Sequence, residues 1–171
     1  LIAHSRDNNF PIKISLIISN NKNANGIKYA KYYKIPYKCI NSKTKKSERE
    51  ILLLLRTYNI TFICLAGYMK IISKKFISNF RKKIINIHPS LLPKFKGLNT
   101  FTRVLRNNEV KTGCTVHHVN PKVDTGKIIV QKTFFINKND NEEILKIKTQ
   151  QLEYLAFPEA IIKIFQYKIK F

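Results

Sequence analysis

A chain of 171 residues with 44% hydrophobic content is long enough for one core of ordinary size and is read as a single domain, residues 1-171. The net charge of +22 invites a nucleic-acid reading, yet with only 6 arginines among 32 basic residues, 26 isoleucines and 17 asparagines, the composition points to an A+T-rich coding sequence; a protein that reads phosphates favours the forked guanidinium, so no specific nucleic-acid partner is expected. Three widely spaced cysteines, no long apolar run and no visible signal peptide argue against a disulfide framework, a metal, a membrane or secretion, and for a cytoplasmic protein whose Cys39, Cys64 and Cys114 are buried small residues.

Along the chain, apolar residues alternate between strand and helix patterns. Ile12 to Ser19 reads as a strand, and Asn25-Gly26 leads into a helix through Tyr33. Ser42 to Tyr58 reads as a helix with a basic start (Lys43, Lys45, Lys46) and the apolar body Ile51 to Leu55. The strand Thr61 to Ala66 follows, and Gly67 is placed where the backbone approaches a ligand. Ser73 caps a short helix to Phe80, and Asn99 to Asn107 forms another. Cys114 to Val119 and Ile128 to Phe135 read as an antiparallel pair. Asp140 with Glu143 has the spacing of a capping box for the last long helix, which Pro158 is expected to kink or break. The alternation predicts an α/β fold, a mostly parallel Rossmann-like sheet flanked by helices.

The chemistry concentrates in two stretches, Asn86-Ile87-His88-Pro89 and Val123-Asp124-Thr125-Gly126. Ile84 to His88 reads as a buried strand, on which Asn86 and His88 share a face because side chains alternate. Pro89 ends the strand, so an amide donor and an imidazole sit at its carboxyl end, the ligand-binding end of an open α/β sheet. Asp124, one of only three aspartates, occupies the turn between the last two strands and is within reach of His88. A carboxylate there raises the imidazole pKa and orients the ring. Taken without other signals, Asn86 and His88 are more readily satisfied core polar groups than catalytic ones. His117 reads as structural or supporting, and His4 and His118 as background.

The ordered set Leu65 to Ile72, Asn86 to Pro93, Phe95 to Thr100, Gly113 to His117, Val123 to Gly126 and Ile128 to Gln131 resembles phosphoribosylglycinamide formyltransferase over nearly the whole chain. Methionyl-tRNA formyltransferase and formyltetrahydrofolate deformylase share the Asn-x-His and Asp elements, but Pro89 and the Gly-Leu-Asn-Thr and Gly-Cys-Thr-Val-His stretches are closer to the glycinamide enzyme. The resemblance implies the formyltransferase fold and formyl transfer from 10-formyltetrahydrofolate to glycinamide ribonucleotide, with no metal. It implies that Asn86 polarises the formyl oxygen, His88 is the general acid and Asp124 orders the proton relay. It places Met69, Lys70, Ile71 and Ile72 along the folate, Ile77 and Ile84 as apolar walls, and Gln150 and Glu153 by the ribonucleotide. A monomer or weak homodimer is expected.

The sequence also departs from that pattern. The family opens with a strand and a Gly/Ser-rich phosphate loop, and Leu1-Ile2-Ala3-His4 reads as beginning just past them, inside the first helix, so the first strand is expected to be missing. Lys70 stands where Arg is frequent, and Phe101 and Tyr154 where His is frequent. Two alternatives follow: a truncated or decayed folate-binding homologue without activity, or a formyltetrahydrofolate hydrolase. One lysine of the 43-46 cluster is a candidate for the folate glutamate tail.

Overall fold

The computed structural model describes residues 1–41 and 45–166, which form two compact units. The predicted start of the second helix at Ser42 and the side chains of Lys43, Lys45 and Lys46 lie outside that description.

One unit holds Ile2–Ile63 and Ser73–Lys82. A short parallel sheet joins β1 (Ile17–Ser19) to β2 (Tyr37–Cys39), with Ile17 opposite Tyr37 and Ser19 opposite Cys39. The predicted strand from Ile12 is longer than the observed one because β2 offers only three residues to pair with. Helix α1 (Asn25–Tyr32) crosses between them and buries Ile27 and Ala30. Helix α2 (Lys45–Thr57) leads into β3 (Phe62–Leu65). Helix α3 (Lys74–Phe80) starts where Ser73 Oγ accepts from the Phe76 amide at 3.0 Å, the cap expected from sequence. Glu48 of α2 reaches the same cap and accepts from the Ser73 amide at 2.9 Å.

The other unit holds Cys64–Ile72 and Lys83–Phe171, together with Leu1. Its sheet has the order β3-β4-β5-β6, built from the end of β3, β4 (Lys83–His88), β5 (Lys111–His118) and β6 (Ile128–Phe135). Both β4–β5 and β5–β6 are antiparallel, so the antiparallel part is one pairing larger than the hairpin expected from sequence. The α/β class and the strand–helix alternation are as predicted. Helix α4 (Thr100–Arg106) precedes β5, and α5 (Glu142–Gln166) closes the described chain.

Side-chain alternation divides this sheet into two faces. Ile85, Ile87, Cys114, Val116 and Val130 are buried on the face that α5 covers, and α5 brings Leu145, Ala156, Phe157, Ala160 and Ile161 against it. Two rim contacts confirm the side: Lys132 pairs with Glu159 at 2.7 Å, and Lys148 lies over the Phe134 ring. Asn86, His88, Thr115, His117 and Gln131 point to the opposite face.

Helix α5 differs from its sequence reading at both predicted features. It runs unbroken through Pro158, which is buried within it. A proline removes one backbone hydrogen bond, and the buried apolar stretches on either side outweigh that loss. Its cap is Asn141, whose Oδ1 accepts from the Ile144 amide at 2.9 Å. Asp140 instead accepts from the Asn137 amide and pairs with Lys148 at 2.6 Å.

Candidate active site

Strand β4 delivers Asn86 and His88 to one face, as the alternation required, and pairs Asn86 with His117 and His88 with Thr115 on β5. Asp124 comes from the turn between β5 and β6, where it adopts a left-handed backbone (φ 49°) that aspartate tolerates better than most side chains. Gly126 follows with its backbone so close to the His118 carbonyl that any Cβ would collide with it. The turn therefore folds back onto the end of β5 and sets Asp124 between the two histidines.

The contacts are specific. His88 Nδ1 lies 3.2 Å from Asp124 Oδ2, and His117 Nε2 lies 3.5 Å from Asp124 Oδ1. Asn86 Nδ2 is 3.3 Å from His117 Nε2, and His117 Nδ1–H donates to the His118 carbonyl at 2.9 Å. His88 Nε2–H donates to the Phe95 carbonyl at 2.9 Å, while the Gly97 amide donates to Asp124 Oδ2 at 2.8 Å. The Phe95 carbonyl is acceptor-only, so Nε2 keeps its hydrogen in both protonation states and the titrating proton enters at Nδ1, facing Asp124.

The electrostatics correct one expectation. Burial lowers the His88 pKa below its ordinary value, and the Phe95 carbonyl and Asp124 oppose that pull without overcoming it. The carboxylate is legible in the sequence, whereas the desolvation that outweighs it depends on the packed site. For Asp124, burial pushes the carboxyl upward, but the flanking His117, the hydrogen bond from the Gly97 amide and the neighbouring His88 together hold it below the usual carboxylate range. Asp124 is thus held as an anion, with the Gly97 amide donating to Oδ2 and an imidazole beside each oxygen.

Behind this group lies a polar network absent from the sequence reading. Thr115 Oγ1 donates to the Ser90 carbonyl at 2.6 Å and accepts from the Leu92 amide and from Gln131 Nε2. Gln131 also donates to the Leu92 carbonyl at 2.8 Å. These bonds tie the loop after Pro89 to β5 and β6, so the chain reaches Phe95 and Gly97 in a fixed path. The signal was present in the sequence: Thr115 and His117 are two residues apart on a strand, on the same face by alternation.

A cavity of about 380 Å³ opens beside Asp124, lined by Leu92, Pro93, Lys96, Gly126 and Ile128 among others. The remaining predicted residues fall elsewhere. Met69, Lys70 and Ile71 are exposed in the segment after β3, and Ile72 is half-buried. Gly67 has a left-handed backbone (φ 64°) with open space around it, so its role is the turn itself. Ile84 is buried on the same face as Asn86, one pleat back along β4. Ile77 is half-buried on α3, in the other unit. Gln150 and Glu153 lie on α5, and Glu153 has Cys114 as its electrostatic neighbour, on the face opposite the histidines. Burial pushes the Glu153 carboxyl up to about 7.

Residues 1–161 match the family model described as formyl transferase. The chain belongs to the formyl transferase family. A phosphoribosylglycinamide formyltransferase from Haemophilus influenzae is 40% identical over 163 residues, which is 93% of this chain and 76% of that protein. Trifunctional purine biosynthetic proteins adenosine-3 of Drosophila pseudoobscura and Homo sapiens are 42% and 38% identical over 87% and 94% of the chain, which spans only 11% and 16% of their length. The solved phosphoribosylglycinamide formyltransferase of Anaplasma phagocytophilum superposes with a TM-score of 0.91 at 35% identity, covering 99% of this chain and 81% of that one. That of Bacillus halodurans gives 0.90 at 31% identity, covering 98% and 88%. This formyltransferase family member therefore shares both sequence and fold with the glycinamide ribonucleotide branch.

Proposed function

We propose that the protein transfers the formyl group of 10-formyltetrahydrofolate to the primary amine of glycinamide ribonucleotide, in purine biosynthesis. The observation that carries this reading is the pairing of Asp124 with His88 and His117, with Asn86 beside His117 on the same sheet face and Asp124 lining a cavity, in a chain of this family.

Each group has a role that its surroundings suit. The amine attacks the formyl carbon, a C–N bond forms, and negative charge collects on the formyl oxygen; the Asn86 amide is a fixed donor to that oxygen. His88, protonated, gives a proton to the folate nitrogen as the old C–N bond breaks, and the proton that the amine loses returns to the imidazole, so that the net movement is from amine to folate nitrogen. Asp124 holds the imidazolium from its Nδ1 side and stays ionised, because its own pKa is depressed. Transfer of the Nε2 proton requires the Phe95 carbonyl to yield its place to the folate nitrogen. Met69 to Ile72, Ile77 and Ile84 are assigned to the folate, and Gln150 and Glu153 to the ribonucleotide, by resemblance to the family.

The family match runs through both compact units, which supports reading residues 1-171 as one formyltransferase domain. No described helix is long and apolar enough to cross a membrane, and we place the enzyme in the cytoplasm, as a monomer or weak homodimer with small-molecule partners.

The test is formyl transfer measured with both substrates. Formylglycinamide ribonucleotide as product supports the reading. Formate released at the same rate without the amine would replace it with hydrolysis, and no turnover of either kind would sink it.

A further inference from the structure

We propose that Arg103, outside the trio, is a positioning residue that sets the His88–Asp124 pair by clamping the turn from Phe95 to Leu98.

That turn brackets the pair with two backbone groups. The Phe95 carbonyl accepts from His88 Nε2, and the Gly97 amide donates to Asp124 Oδ2. To present them, Phe95 takes a left-handed backbone, φ 55°, a region that non-glycine residues seldom occupy and that persists only when the surroundings hold it. Arg103, on the first turn of α4, does so in two ways. Its Nη1 donates to the Lys96 carbonyl at 2.6 Å and also reaches the Leu98 carbonyl, while the guanidinium lies over the Phe95 ring, 5.5 Å from its centroid. Both carbonyls are met from Nη1 while the planar face of the same group stacks on the ring, and the compact, strongly hydrated ammonium of a lysine has no such plane to stack.

The charged or titratable groups felt by His88 are Asp124 from the β5–β6 turn, His117 from β5 and Arg103 from α4. The Arg103 charge itself pulls the His88 pKa down, while the carbonyl that Arg103 holds in place pulls it up. A substitution that keeps the charge and loses the planar group separates the two effects.

Arg103→Lys is that substitution, and because the side chain is exposed, the fold tolerates it. His88 is followed by NMR titration of its imidazole in the ligand-free protein, its signal assigned by loss in His88→Asn. The expected result is a lower His88 midpoint in Arg103→Lys. In turnover, which rests on the formyl-transfer reading, kcat falls about tenfold with KM nearly unchanged, because the Gly97 amide, between the two clamped carbonyls, no longer holds Asp124 against His88 Nδ1. In a Phe95→Gly background, where the left-handed turn needs no clamp, Arg103→Lys has a smaller effect. An unchanged midpoint in Arg103→Lys, or equal effects in both backgrounds, overturns the proposal. The titration needs no substrate, so it decides the clamp even if glycinamide ribonucleotide is not the acceptor.

Discussion

Asp124 is the residue on which the site turns, since both histidines and a backbone amide converge on its two oxygens. Asp124→Asn keeps the shape and removes the charge. It is expected to lower kcat between about 10²- and 10⁴-fold, the usual worth of positioned acid–base catalysis, with folate affinity nearly intact. Because Asp124 is among the groups raising the His88 pKa, the substitution also moves that pKa further down, so whatever activity remains shifts toward acid; a wild-type pH–rate profile in the variant would remove Asp124 from the relay. Glu153 is a second residue with a measurable signature. Its folded pKa of about 7 lies above its ordinary 4.5, so its share of stability is fully present below pH 4.5 and is lost as pH rises through 7. Glu153→Gln imitates the protonated form and removes that loss. Allowing for partial exposure, the variant should gain about 2 kcal/mol on the wild type between pH 4.5 and 8, or roughly 5 °C in Tm. Thermal melts at the two pH values measure it, and parallel shifts at both would show that Glu153 is not buried as described.

At the scale of elements, strand and helix order was legible because apolar periodicity and turn residues agree along most of the chain. The Ser73 cap and the Asn86–His88 face followed from local rules alone. What escaped depended on partners far apart in sequence. The length of β1 is set by β2, and the unbroken α5 by the sheet face that it covers. The cap of α5 was misread by one residue, since Asp140 and Asn141 both suit the position and only the loop's path decides between them. Asn141→Ala should therefore cost about 1 kcal/mol, seen as a lower midpoint in denaturant unfolding, whereas the sequence reading would have given that loss to Asp140. In the site, the trio was legible from its residue types, but the Phe95 carbonyl and the Gly97 amide were not. Backbone groups leave no trace in residue identity, and the left-handed Phe95 breaks the rule by which such turns are recognised.

For the whole molecule, the charge of +22 is the dominant property that the proposed chemistry does not use. Most of it is lysine, and few acids are present to pair with it. Such a surface attracts anions at long range and loses that pull as salt screens it. For a substrate bearing a phosphate and a folate bearing carboxylates, kcat/KM should fall several-fold between about 50 and 300 mM salt, with kcat nearly constant. A flat kcat/KM would show that the lysines record coding bias and have no part in substrate capture. The cysteines belong to the same scale. Desolvation pushes Cys64 and Cys114 up to about 12, but only Cys114 is buried; Cys64 is half-buried and Cys39 on β2 is exposed, contrary to the expectation that all three are buried.

The register of β4 against β5 places Asn86 opposite His117, and one pleat separates that arrangement from its mirror. Over evolutionary drift this makes strand and loop unequal. A single-residue insertion or deletion between Thr115 and His117 that no bulge absorbs puts those two side chains on opposite faces of the sheet and silences the site even where the fold survives. The same change in the loop between β6 and α5 leaves both that alternation and the Asp124 turn in place. Lineages of this chain are thus expected to vary in length in that loop and to keep count along the strand.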